Sequence, residues 1–251
     1  MNGGQNVSSA VMASRVEARD SLDDFPTPPW ATRALCEWLS ARIDEEPNSH
    51  PPLSEQRAWE PACNRGFMAR PLAESFRSVH ASDVHDYSAE WEGQHRLCDF
   101  LFPLSEPPSI AAQGVDWIIT NPPFRLAADF IRRSGEFDCG YAMFVRLAFL
   151  EGGERWRSIY SNPALRPNWI LAFSERVPLV KGRVDPEVTT ATAYCWLVRF
   201  PRSSGEHPLL DWIPPGARER LERPGDYGPA APAAVARHAD LFEGGDDAVS
   251  A

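Results

Sequence analysis

An α/β fold built on a mostly parallel sheet is predicted by three observations. Strand-like and helix-like segments alternate along residues 28–162. Several of the strand segments are unbroken apolar runs, as expected where helices cover both faces of a sheet. The last two strand segments are joined by residues 178–190, too short and too poor in helical pattern for a crossover helix, so the sheet is expected to finish with an antiparallel strand.

Seven strands are predicted: RAWEPAC (57–63), SVHASDV (78–84), HRLCDFL (95–101), VDWIIT (115–120), YAMFVRLAFL (141–150), NWILAFSERV (168–177) and ATAYCWLVRF (191–200). Helices are predicted over 28–43, 66–76, 126–137 and 151–162. In the first of these, Trp30, Ala34, Leu35, Trp38 and Leu39 recur at helical spacing behind Thr27, a candidate N-cap. Residues 1–20 are small and polar and read as a disordered N-terminal tail. The folded domain is expected over 21–202. From 203 to 251, Pro, Gly, Ala and acidic residues dominate, which predicts a loosely ordered tail with one short helix at 216–223.

The 251 residues, 43% hydrophobic and 24% charged, suffice for one domain with a full core. A formal net charge of −10 gives no general attraction to nucleic acid or anionic membrane, so a polyanion would have to meet a local basic patch. Cys36, Cys63, Cys98, Cys139 and Cys195 are widely spaced with no C-x-x-C pair, a pattern of reduced thiols rather than a disulfide frame or zinc site. The N-terminus lacks an apolar signal-peptide region and no apolar run approaches the length of a membrane span, so a cytoplasmic placement is expected.

In such a sheet, ligands bind beyond the carboxyl ends of the strands, near the point where strand order reverses. Four successive strands end in acidic or amide groups: Glu60 and the turn Ala62 to Gly66, then Asp83, then Asp99-Phe100, then Asn121-Pro122-Pro123-Phe124. Any one of these has a plain structural reading as a cap, a loop carboxylate or a strand stop. The four in this order do not.

The segments EPACNRGFM, ASDV, CDF and NPPF, taken together, resemble the successive motifs of class I S-adenosylmethionine-dependent methyltransferases. NPPF is similar to the motif of the DNA adenine-N6 branch, DDFPTPPWAT (23–32) to the extra N-terminal motif of those enzymes, and RLAFLEG (146–152) to a segment of phage-type members. The motif order resembles the gamma arrangement of short stand-alone phage and prophage enzymes. The resemblance covers about residues 23–200 and implies a Rossmann-like class I methyltransferase fold that uses S-adenosylmethionine as methyl donor.

It also implies residue roles. Asp83 would accept from the ribose hydroxyls and Asp99 from the adenine amine, with Phe100 against that ring. Glu60 and the backbone from Ala62 to Gly66 would hold the methionine end, closed by Thr27 and Pro28. Asn64 stands where the family has the first glycine of G-x-G. Asparagine tolerates left-handed backbone, so the turn is expected to survive, with a tighter approach to the cofactor.

The chemistry explains the NPPF elbow. The exocyclic amine of adenine is a poor nucleophile because its lone pair is delocalised into the ring. The side-chain oxygen of Asn121, a residue the resemblance also places beside the cofactor, and the carbonyl of Pro122 would hold its two N–H groups and localise that pair. Pro122 and Pro123 fix φ and keep the acceptor aimed, while Phe124 offers a face for a flipped base. No metal ligand set is expected. Ten basic residues lie between Arg125 and Arg183, and Arg146, Lys181 and Arg183 are the candidates for contact with DNA, the expected partner. Three alternatives stay open: RNA adenine as acceptor, a protein glutamine as acceptor, or a binding protein of this fold that lost cofactor affinity through Asn64.

Overall fold

The structure, a computed structural model, describes residues 23–46, 49–203 and 207–227. The predicted tail at 1–20 and residues 228–251 of the tail predicted from 203 lie outside the described residues. Eight strands form one sheet in the order β3-β2-β1-β4-β5-β7-β6-β8. They are β1 Arg57–Glu60, β2 Ser78–Asp83, β3 Arg96–Leu97, β4 Trp117–Thr120, β5 Gly140–Arg146, β6 Trp169–Phe173, β7 Tyr194–Arg199 and β8 Leu209–Ile213. β7 runs antiparallel to both its neighbours, β5 and β6, and every other pairing is parallel.

Period-two alternation in the central strands builds two cores. Trp117 and Ile119 of β4, with Ala142 and Phe144 of β5, face one side; Ile118, Tyr141, Met143 and Val145 face the other. Both sets are buried, which is why these strands read as continuous apolar runs. On the first side lie α1 (Pro29–Glu45), α2 (Ala69–Ala73) and α6 (Ala217–Leu221). On the second lie α3 (Pro108–Gln113), α4 (Ala127–Ser134) and α5 (Gly153–Arg155), which continues as a π turn over Trp156–Tyr160. In α4 the apolar Ala127, Phe130 and Ile131 point inward at i, i+3 and i+4. All five cysteines are free and four are buried. No helix among the described residues is long and apolar enough to cross a membrane.

The structure corrects three sequence expectations. The sheet has an eighth strand: β8 pairs in parallel with β6, and Ile213 at its end is 3% exposed, so the boundary expected at 203 falls inside the sheet-forming chain. α6 then packs Ala217 and Leu221 on the α1 side. The third strand pairs only at Arg96 and Leu97; after the Cys98 N–H donates to the Asp83 carbonyl the chain turns away. The N-cap of α1 is Pro28, with no side-chain cap bond, and Thr27 lies one residue outside the helix, its hydroxyl buried.

Arg33 fastens the end of the described chain to α1. Its guanidinium, 8% exposed, donates to Asp226 (2.7 Å to each oxygen), to Glu74 (2.8 and 2.9 Å) and to the Leu221 carbonyl. A buried cation satisfied on every side in this way specifies where the last turn docks.

Candidate active site

The chain leaves β1 outward to β2 and β3, then crosses back to β4 on the other flank of β1. That reversal places a cleft beyond the carboxyl ends of β1, β2 and β4.

The turn after β1 forms its floor. Cys63 N–H donates to the Ser82 carbonyl (2.9 Å) and Gly66 N–H to the Cys63 carbonyl (2.8 Å). Asn64 takes φ +48° and Gly66 φ +75°. The left-handed conformation expected of Asn64 is therefore present, and its side chain is fully used. Its Nδ2 donates to Asp24 (2.7 Å) and Tyr87 (3.3 Å), and its Oδ1 accepts from Arg65 N–H (2.7 Å) and Nε (3.0 Å). At Gly66 a Cβ would sit 2.3 Å from the Trp91 ring. This glycine is needed for its φ and for packing, and it does not line the cleft.

Asp83, 8% exposed, accepts the Asn64 N–H on one oxygen and the His85 N–H on the other, both at 2.9 Å. These bonds aim the carboxylate and leave each oxygen a further lone pair. Burial raises its pKa, and the two N–H donors oppose that rise. Glu60 is 2% exposed with Oε2 lacking any partner. Burial, with the Asp83 charge adding to it, pushes its carboxyl well above the ordinary range.

Asp99 lies exposed at the cleft wall, one oxygen holding the Leu101 N–H at 3.0 Å. Phe100 contributes little surface; it is 2% exposed and its ring packs among Trp59, Phe130 and Phe137.

β4 delivers the Asn-Pro-Pro-Phe elbow. Asn121 Nδ2 donates to the Phe25 carbonyl (2.8 Å), which fixes the orientation of the amide and turns Oδ1 away. That Oδ1 is buried and has no partner. Asn121 and Pro123 line the cleft, while Pro122 and Phe124 face an adjoining hollow with Val145, Phe149 and Arg155. The Arg146 guanidinium lies 3.9 Å from the Phe124 ring centroid, and Phe25 packs on the same ring at 5.2 Å. The face expected to receive a base is thus covered by Arg146.

The segment 23–27 closes the cleft. Of the two residues expected to close the methionine end, Thr27 lines the cleft with its Oγ1 unpartnered, and Pro28, just beyond the segment, does not line it. The larger contributors are Asp23, whose carboxylate accepts the Phe124 N–H, and Asp24, which pairs with Arg65 at 2.8 Å. Their signal was the DDF triplet ahead of the prolines, which spacing alone could not connect to either loop.

The 178–190 loop reaches the same rim: Gly182 N–H donates to the Asp24 carbonyl at 2.8 Å, setting Lys181 and Arg183 beside the segment 23–27. Arg183 pairs with Asp185. Other arginines of the basic stretch are paired locally, Arg132 with Asp129, Arg133 with Glu106 and Glu136, and Arg157 with Glu154, so their charge is largely spent within the fold. No cluster of three or more His, Cys, Asp or Glu suited to a metal occurs among the described residues.

No protein-family model matches the sequence, and no curated protein matches it. Among solved structures the chain is similar to a proposed RNA methyltransferase from Pyrococcus horikoshii, at 14% identity and a TM-score of 0.50, over 76% of this chain and 96% of that one. It is also similar to a modification subunit of a proposed type I restriction enzyme from Vibrio vulnificus (18% identity, TM-score 0.45, 72% of this chain) and to a chain of a DrdV–DNA complex (14%, 0.49, 79%). The chain spans 45% of the Vibrio subunit and 28% of the DrdV chain. Taken with the strand order and the cleft at its reversal, the Pyrococcus likeness shows that this chain shares the Rossmann-like fold of that structure.

Proposed function

We propose that the protein transfers a methyl group from S-adenosylmethionine to the exocyclic N6 amine of adenine in DNA. The observation that carries this reading is Asn121 Oδ1, a buried acceptor without a partner on a residue that lines the cleft. A buried oxygen left unpaired costs about 1–3 kcal/mol. That cost is recovered when an N–H donor arrives.

The residues present fit the cofactor. The Asp83 carboxylate, held by two main-chain N–H groups, has lone pairs free for a vicinal diol. Asp99 stands exposed at the wall to accept an adenine amine, with Phe100 behind it. Glu60, an unsatisfied buried carboxyl, and Thr27 Oγ1, an unsatisfied hydroxyl, suit the ammonium and carboxylate of the methionine end. Asn64 shapes that end of the floor without obstructing it, since its side chain turns toward Asp24.

When bound, S-adenosylmethionine supplies a methyl group already activated by positive sulfur. The chain's task is then positioning, worth roughly 7–11 kcal/mol for well-aligned reactants. Asn121 Oδ1 and the Pro122 carbonyl accept the two amine N–H groups and pull the nitrogen toward tetrahedral geometry; as the N–C bond forms the S–C bond breaks, and the proton the nitrogen then sheds passes to water. Phe124 receives the base face. Arg146 must leave that ring first: a cation–π contact at an exposed site is worth about 0.5–1 kcal/mol, less than the roughly 1–3 kcal/mol of a base–aromatic stack. The freed guanidinium, with Lys181 and Arg183 on the tethered loop, then meets phosphate.

Calorimetric titration with S-adenosylmethionine, followed by tritiated methyl transfer to DNA, RNA and protein acceptors, tests the reading. Micromolar-range cofactor binding and label in DNA adenine are expected. Label only in RNA or protein overturns the substrate, and no binding at millimolar cofactor overturns the enzyme.

A further inference from the structure

Asp23, Asp24 and Phe25 reach three separate loops. The Asp23 carboxylate holds the Phe124 N–H. The Asp24 carboxylate holds Asn64 Nδ2 (2.7 Å) and Arg65 Nη2 (2.8 Å), while its carbonyl holds the Gly182 N–H (2.8 Å). The Phe25 carbonyl orients the Asn121 amide at 2.8 Å.

We propose that this strap couples the floor of the cleft to the Asn-Pro-Pro-Phe elbow, and that Asn64 is the positioning residue through which the coupling runs. The claim rests on the functional reading above for its meaning in catalysis, but the coupling belongs to the ligand-free chain.

The path is continuous. Asp83 holds the Asn64 N–H, Asn64 holds Asp24, and the next residue, Phe25, holds Asn121. Glycine would adopt φ +48° more easily than asparagine, so the value of Asn64 at this position lies in its side-chain bonds. Pro26 fixes its own φ and restricts Phe25 before it, so a shift at Asp24 is passed to the Phe25 carbonyl rather than absorbed. The carbonyl then decides which way the Asn121 amide faces. On this account the asparagine in place of a loop glycine is a clasp: occupancy beside Asp83 stiffens the strap, and the strap holds Oδ1 toward the acceptor.

Amide hydrogen exchange of the ligand-free full chain, read by NMR, tests this. Asn64→Gly removes the clasp without backbone strain and touches neither Phe124 nor Gly182. Their amides, and the Asn121 side-chain NH₂, are expected to exchange about tenfold faster, the factor that corresponds to one lost hydrogen bond, while the amides of β5 keep wild-type rates. Asp24→Ala should give the same pattern. Acceleration confined to 62–66 overturns the proposal. So does acceleration that extends to β5, since the strap would then be a general stability element.

Titration with S-adenosylmethionine keeps the two claims apart. Wild-type protein that fails to bind refutes the functional reading and leaves the exchange result standing. If wild type binds and transfers, Asn64→Gly should bind about tenfold more weakly and turn over more slowly at saturating cofactor. Unchanged affinity together with unchanged turnover overturns the coupling.

Discussion

Replacing Asn121 by alanine should cost activity without costing stability. In the ligand-free chain the Asn121 side chain makes one hydrogen bond, Nδ2 to the Phe25 carbonyl, and carries one buried orphan, Oδ1. The bond contributes about 0.5–1.5 kcal/mol and the orphan costs about 1–3 kcal/mol. Truncation removes both and leaves the Phe25 carbonyl short of a donor. The terms nearly cancel, so unfolding free energy should stay within about 1 kcal/mol of wild type, a Tm shift of no more than roughly 2–4 °C for a chain of this size. The rate should behave differently. A preorganised polar group facing charge that develops in the transition state is worth about 10²–10³ in turnover, or roughly 2.7–4 kcal/mol. Cofactor affinity should change little, because the loss lies in the transition state. Single-turnover tritiated methyl transfer, differential scanning calorimetry and cofactor titration measure the three quantities on one preparation. The reasoning fails if Asn121→Ala keeps more than about a tenth of wild-type turnover, or if cofactor affinity falls in proportion to rate, which would make Asn121 a wall of the cofactor site only.

Other outcomes follow from the same geometry. Asp83→Ala should do the reverse of Asn121→Ala, weakening S-adenosylmethionine binding at least about tenfold by calorimetry, since hydrogen bonds to a charged group contribute about 1.5–3 kcal/mol each; an unchanged Kd would remove Asp83 from the site. Glu60 holds its proton above the ordinary carboxylate range because of burial and the Asp83 charge, yet a cationic ammonium is best met by the ionised form. Cofactor affinity should therefore rise with pH as Glu60 ionises, with proton release visible across buffers of different ionisation heat, and Glu60→Gln should flatten that dependence. His80 is depressed from 6.5 to about 4 by burial, by His95 stacked at 4.9 Å and by Arg96, with the Ser109 hydroxyl at its Nδ1. The unfolded chain binds that proton first, so the contribution of His80 to stability is complete above 6.5 and is lost as pH falls toward 4. Thermal melts should show less acid-side loss in His80→Gln than in wild type, and parallel curves would contradict the assignment.

The sheet was legible because its central strands are buried on both sides and so are written as apolar runs. The cleft was legible because chemistry is concentrated at four strand ends, where a helix cap or a core residue would not produce the same series. β8 was not legible. LLDWI sits between prolines in a stretch of loop-like composition, and only parallel pairing with β6, a long-range event, makes it a strand. β3 was overread because Cys98 and Phe100 are apolar for the sake of the core, not for a ladder. Gly66 is set by its φ and by the Trp91 ring, and Phe100, at the cleft wall, packs its ring on Trp59, constraints that the local sequence does not display. The roles of Asp23 and Asp24 depend on partners about forty to a hundred and sixty residues away, which no local pattern encodes.

The Arg33 knot sets a timetable for synthesis. Asp226 lies 193 residues beyond Arg33, so at about 5–20 residues per second roughly 10–40 s separate the emergence of α1 from that of its counter-ion. Through that interval the guanidinium has Glu74 as a partner but lacks Asp226. Complete seating of Arg33 accordingly waits for residues 221–226, which supply the Leu221 carbonyl and the Asp226 carboxylate.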